Sequence, residues 1–261
     1  IGLASCNSKQ TKDAEVKEKP LNITVYLDLS DRLQRDMLPT QKDRDIAIVG
    51  HFIKLFTDSC LQTGILNSRH HFKVLFYPSP KDSEIAVLAS SLDVDMAKIE
   101  AKEKRVTLKR MPNDFKKSLT QIYDETLKAQ DWIGSDVWGF FSNKKVDELC
   151  MRNGYRNILV ILSDGYLYYE PNKQQEGNSY SYVLPKTLSD ASSSLIVKRK
   201  GLQNLEVLML ETNPYTPLQH DKLQSVLDNW FKGMETGRFV VSETDMPTNT
   251  AVVIDNFLTK Y

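Results

Sequence analysis

The chain has 261 residues, 41% hydrophobic, with 34 basic residues against 34 acidic ones. That length and apolar content suit one large α/β domain, or one domain with long insertions. The zero net charge leaves no basic field to hold nucleic acid, and no stretch reaches the ~18 apolar residues that a membrane-spanning helix needs.

At the start, Leu3-Ala4-Ser5-Cys6 resembles a bacterial lipobox: a branched apolar residue, two small residues, then the cysteine that is lipidated. The resemblance implies a lipid-anchored protein of the bacterial cell envelope, with the outer membrane preferred over the inner. Ile1-Gly2 would then be the tail of an apolar leader. Residues 7–20 follow, with Val16 and Ala14 as their apolar side chains besides Pro20. Such a segment has no face to bury, so it reads as a flexible tether. Fully extended, its ~14 residues span roughly 45–50 Å. The division expected is therefore 1–20 as lipobox remnant and tether, and 21–261 as the domain.

Ile23-Thr24-Val25-Tyr26-Leu27-Asp28 is β-branched and aromatic and reads as a buried strand ending in a carboxylate. Residues 45–63 read as a helix, because Ile46, Val49, Phe52, Ile53 and Phe56 recur at helical spacing before Gly64. Residues 72–77 read as a second strand, closed by Pro78 and Pro80. Residues 84–88 and 105–108 read as short strands with a charged helical stretch between them. Asn113-Asp114 reads as the cap of a helix carrying Phe115, Leu119, Ile122, Tyr123 and Leu127. Residues 132–146 are aromatic and irregular. Asn157-Ile158-Leu159-Val160-Ile161-Leu162 is the most apolar run and reads as a central strand, ending at Ser163-Asp164-Gly165. Residues 166–204 read as an elaborated inserted loop, with one ordered piece near 194–197. A strand at 205–210, a helix at 221–234, a strand at 239–241 and a helix at 251–259 complete the chain. Alternating strands and helices imply an α/β fold, with a mainly parallel sheet, helices on both faces and three layers. Ligand sites in such folds lie outside the carboxyl ends of the strands.

Three segments line up there. Asp28-Leu29-Ser30-Asp31-Arg32 follows the first strand, Ser118-Leu119-Thr120 enters a helix, and Ser163-Asp164-Gly165 follows the central strand. In this order they resemble the von Willebrand factor A (vWA) family and its metal-ion-dependent adhesion site. The resemblance runs from about Ile23 to the C-terminus, apart from residues 166–204. It implies a ligand set of Asp28, Ser30, Thr120 and Asp164. Carboxylate and hydroxyl oxygens suit Mg²⁺ or Mn²⁺, and positions left open on the metal recruit an acidic group of a partner. One position departs from the pattern: the family's second Ser is Arg32 here. Arginine has no acceptor and ligates no cation. Either its guanidinium pairs with Asp28 or Asp164 and replaces the metal, leaving no cofactor, or it points away and a depleted metal site remains.

The function expected is an envelope-tethered binding or adhesion module, rather than an enzyme. Its partner would be an envelope protein or surface ligand offering an acidic group. Tyr166, Tyr168 and Tyr169 follow Asp164 closely and either form a contact surface or pack on the domain. Two alternatives stay open: a divalent-metal-dependent hydrolase using Asp28 and Asp164, and a structural subunit of an envelope complex with an inactive site. His70-His71 reads as a solvated strand start. Cys60 and Cys150 lack a Cys-x-x-Cys partner and Cys60 reads as a small buried hydrophobe.

Overall fold

The computed structural model describes residues 18–130, 135–165, 174–176, 179–181, 199–213 and 217–259. Its strands are β1 Leu21–Leu27, β2 His71–Leu75, β3 Asp93–Asp95, β4 Arg156–Leu162, β5 Gln174–Glu176, β6 Ser179–Ser181, β7 Leu205–Thr212 and β8 Arg238–Glu243. The helices are α1 Gln41–Gln62, α2 Ser83–Ser90, α3 Ala101–Ala129, α4 Val137–Ser142, α5 Lys145–Cys150, α6 Pro217–Gly233 and α7 Pro247–Thr259. The central sheet has the order β3-β2-β1-β4-β7-β8. Its neighbours pair parallel, except that β3 runs antiparallel to β2 at the edge. β5 and β6 form a separate antiparallel pair within the stretch expected as a loop.

Side chains of the middle strands alternate between two cores. Ile23, Val25, Leu27, Ile158, Val160, Leu162, Leu208 and Leu210 pack with α1, α2, α3 and α7. Tyr26, Leu159, Ile161, Val207 and Met209 pack with α4, α5 and α6. Burial on both faces is why these strands read as continuous apolar runs. The result is the expected three-layer α/β fold.

Several stretches depart from the sequence reading. Residues 84–88 lie in α2 and 105–108 in α3, so neither is a strand. The Asp82 carboxylate accepts from the backbone N–H of Glu84 and Ile85 and so starts α2. α3 is one helix through the position expected as a cap, because Lys104, Leu108, Met111, Phe115, Leu119 and Ile122 bury one continuous stripe. Pro112 lies inside it at an exposed position. A proline there forfeits a helical hydrogen bond, and the flanking Met111 and Phe115, both in the core, outweigh that loss. The aromatic stretch at 132–146 is likewise not irregular where described: it holds α4 and the start of α5. The piece expected at 194–197 lies outside the described residues, as does Cys6.

Candidate functional site at the carboxyl edge

β1 and β4 pair in register from Leu21↔Arg156 to Leu27↔Leu162, and the Asp28 N–H donates to the Leu162 carbonyl at 3.1 Å. Asp28 and Asp164 therefore leave adjacent parallel strands at one sheet edge, as expected. Gly165 then turns the chain at φ 91°, where an added Cβ would lie 2.8 Å from Leu223 Cδ2.

Asp28 is 1% exposed. Its Oδ1 accepts from the Ser30 N–H at 2.8 Å and its Oδ2 from the Ser163 hydroxyl at 2.7 Å. Ser30 is buried and precedes a 3-10 turn, Asp31–Gln34, that carries Arg32 inward. The Arg32 Nε donates to the Asp28 carbonyl at 3.0 Å and lies 3.8 Å from Asp28 Oδ2. Its Nη2 donates to Asp45 Oδ2 at 2.6 Å. Asp45, from the first turns of α1, also accepts from the Tyr123 hydroxyl at 2.6 Å and from Gln41 Nε2 at 2.9 Å. Burial opposes the charge on Arg32, but Asp45 and Asp28 outweigh it and hold the guanidinium more firmly protonated than a free arginine. Asp164 is served by a second arginine: Arg35 Nη2 donates to its Oδ2 at 3.0 Å, while Nη1 donates to the Asn213 carbonyl at 2.6 Å.

A third strand end joins this group. Glu211 has a left-handed backbone, φ 66°, beside a register shift between Met209 and Thr212. Met209 belongs to the α4–α6 core, so a regular strand would send Glu211 the same way. The bulge turns it to the opposite face, where Arg44 Nε and Gln41 Nε2 donate to its Oε2 at 2.9 and 3.3 Å. Glu211 is 1% exposed. Burial pushes its carboxyl above the usual range, and Asp45 adds to that against Arg44 and Gln41. Glu211 Oε1 and Arg32 Nη1 are buried without a hydrogen-bond partner among the described residues.

The structure brings Asp28, Ser30, Arg32 and Asp164 together at this edge and places Thr120 elsewhere. Thr120 lies in the middle of α3, half-buried, and lines a surface cleft with Asn113, Lys116 and Asp124. The residue of α3 that reaches the group is Tyr123, one turn on and on the inward stripe. Asp45, Gln41, Arg44, Arg35, Ser163 and Glu211 were missed. Asp45 and Gln41 carry a readable signal, since they extend the buried stripe of Ile48, Val49 and Phe52 by two turns toward the N-terminus. Tyr166, Tyr168 and Tyr169 lie outside the described residues.

Asp28, Ser30 and Asp164 do not fit a divalent cation. Both Asp28 oxygens already accept hydrogen bonds, and a guanidinium stands against each aspartate. A second cation there would face repulsion at short range with little solvent to screen it. Among the described residues, no group of three or more His, Cys, Asp or Glu has a geometry that would hold a metal ion. His51, His70, His71 and Cys60 are engaged elsewhere: His51 with Asp255, His70 with the Leu21 N–H, His71 with Asn22 and Asp93, and Cys60 with Ser68.

No protein-family profile and no curated protein matches this chain. Among solved structures it is similar to a conserved hypothetical protein, BatB, from Bacteroides thetaiotaomicron, at 10% identity and a TM-score of 0.42, covering 92% of this chain and 100% of that one.

Proposed function

We propose that this chain is an envelope-tethered binding module with a vWA-like site in which arginine takes the place of the metal. The observation that carries this is the position of Arg32, buried at 1% exposure between Asp28 and Asp45. It neutralises the aspartates that a cation would otherwise have to balance, and it does so permanently. Mg²⁺ and Mn²⁺ are then not needed, and Cys6 supplies the anchor.

The same burial changes how a partner is met. A metal would offer open positions to an acidic group, whereas Arg32 is sealed from solvent. Contact therefore falls to the rim: Arg35 beside Asp164, and the exposed Asp31, Asp36 and Leu38. Leu38, 89% exposed next to Pro39, is the most exposed large hydrophobe described. An exposed aliphatic side chain with Asp31, Arg35 and Asp36 close by in sequence suits the centre of a small protein–protein contact, so the partner is an envelope protein rather than a small molecule. A hydrolase at this edge would need a base near a reacting atom. The buried carboxylates here, Asp28, Asp45, Asp164 and Glu211, are each held by an arginine.

The test is capture from solubilised envelopes with the purified chain. Wild-type protein should hold a specific partner equally well in EDTA and in Mg²⁺. Leu38→Asp should lower its capture by roughly tenfold or more, as loss of a central contact residue does, with an unchanged melting temperature. Capture abolished by EDTA, or a Leu38→Asp variant that binds normally, would count against this reading.

A further inference from the structure

We propose that the outer face of the first half of α3 is a docking surface for an anionic phospholipid bilayer. The setting, though not the geometry, rests on the envelope-tether reading above.

The charge is unevenly placed. Residues 98–117 hold eight basic and three acidic residues in a chain whose 34 basic and 34 acidic residues otherwise cancel, so the remainder of the chain is acidic. Lys102, Arg105, Lys109 and Lys116 follow at helical spacing on one stripe and are all exposed. Arg105, Lys109, Lys116 and Lys117 have no ion-pair partner among the described residues. A protein surface that leaves cations unpaired while carrying acidic residues elsewhere has an oriented field, and it turns that face toward a negative plane.

One exposed aliphatic lies within this stripe and two more on the segments next to it. Val106 is 49% exposed within the stripe, Leu61 is 55% exposed at the end of α1, which packs along α3, and Leu66 is 65% exposed in the loop that follows. The Lys104 ammonium pins that loop by donating to the Leu66 and Ser68 carbonyls at 2.9 and 2.8 Å. Cations on long stems around exposed aliphatics match the headgroup boundary of a bilayer, where phosphates meet acyl chains.

The location agrees. In the same loop, His70 Nδ1 accepts from the Leu21 N–H at 2.8 Å, at the start of β1. The basic face thus lies at the edge where the chain enters the domain, opposite the carboxyl edge. On the tether reading of the sequence, that edge stays within roughly 45–50 Å of the lipid, and tethering converts a weak surface attraction into an effectively intramolecular one. Docked this way, the domain would present Arg35 and Leu38 away from the membrane.

The test uses the full chain carrying Cys6→Ala, so that no acyl chain contributes, in sedimentation with phosphatidylcholine vesicles with or without one-third phosphatidylglycerol. The expected result is binding to the anionic vesicles only, weakened strongly on raising salt from about 0.05 to 0.5 M, where the screening length falls several-fold. Arg105→Glu/Lys109→Glu/Lys116→Glu should bind the anionic vesicles at least about tenfold less. Lys128→Glu/Lys144→Glu/Lys232→Glu, the same charge change on other surfaces, should bind nearly as wild type, and melting curves check that both triple variants fold. Absence of binding to anionic vesicles, or equal loss in both triple variants, overturns the proposal. Such a failure leaves the anchor standing, since the anchor is read by whether Cys6→Ala in the full precursor moves the protein out of the membrane fraction.

Discussion

At the carboxyl edge, buried carboxylates outnumber the guanidiniums that reach them: Asp28, Asp45 and Glu211 share Arg32 and Arg44, and Gln41 bridges the last two carboxylates with one amide nitrogen. Asp45 has three donors, whereas Glu211 has both its donors on Oε2 and none on Oε1. The proton that relieves the excess negative charge therefore belongs on Glu211. Burial raises this carboxyl above the usual range of a glutamate. A group with a raised folded pKa contributes stability that is fully present below its unfolded pKa and is lost as pH rises through the folded pKa. Stability of the wild type should accordingly fall as pH rises above about 4.5 through this group. Glu211→Gln mimics the protonated form and should gain on the wild type steadily across that window in urea unfolding. A difference between the two that is constant with pH would place the proton elsewhere. Asp28 and Asp164 were legible because each ends an apolar run, and Arg32 because it breaks a pattern. Glu211 was hidden because only a bulge, invisible in the sequence, turns it from the Met209 side to the α1 side.

Helix α3 shows what local signals lose to packing. Asn113-Asp114 after Pro112 has the composition of a helix start, and Val106-Thr107 has that of a strand. Both signals yield to a stripe from Lys104 to Thr126 buried against α1 and α2, with Phe115 meeting Phe72 of β2. Reading a helix start at Asn113 put Thr120 near the beginning of a helix, where the family supplies a ligand, when it lies deep within one. The strands were easier, because burial on both faces leaves β4 and β7 with few polar residues to confuse the pattern. If packing rather than local preference holds α3 together at Pro112, the proline is a tolerated cost. Pro112→Ala should then restore the missing hydrogen bond at an exposed position and stabilise the protein by about 1–3 kcal/mol, read as a higher urea midpoint at unchanged slope. A loss of stability would mean that the proline sets a bend the core requires.

On the scale of the whole molecule, the sheet separates two edges of different chemistry. The amino edge carries the chain entry and the basic face of α3, and the carboxyl edge carries Asp28, Arg32, Asp164 and the exposed rim around Leu38. The chemistry of the carboxyl edge turns on whether its cation is built in. Thermal melting of wild type and Arg32→Ser across a titration of Mg²⁺ and Mn²⁺ measures this directly. The wild type should melt at one temperature throughout. Arg32→Ser without metal leaves Asp28 and Asp45 buried without their cation, at a cost of about 3–5 kcal/mol, or roughly 6–20 °C for a domain of this size. It should recover part of that loss as metal is added, by mass action. A wild type that gains several degrees in millimolar Mg²⁺ or Mn²⁺, with Arg32→Ser responding no differently, would contradict the account.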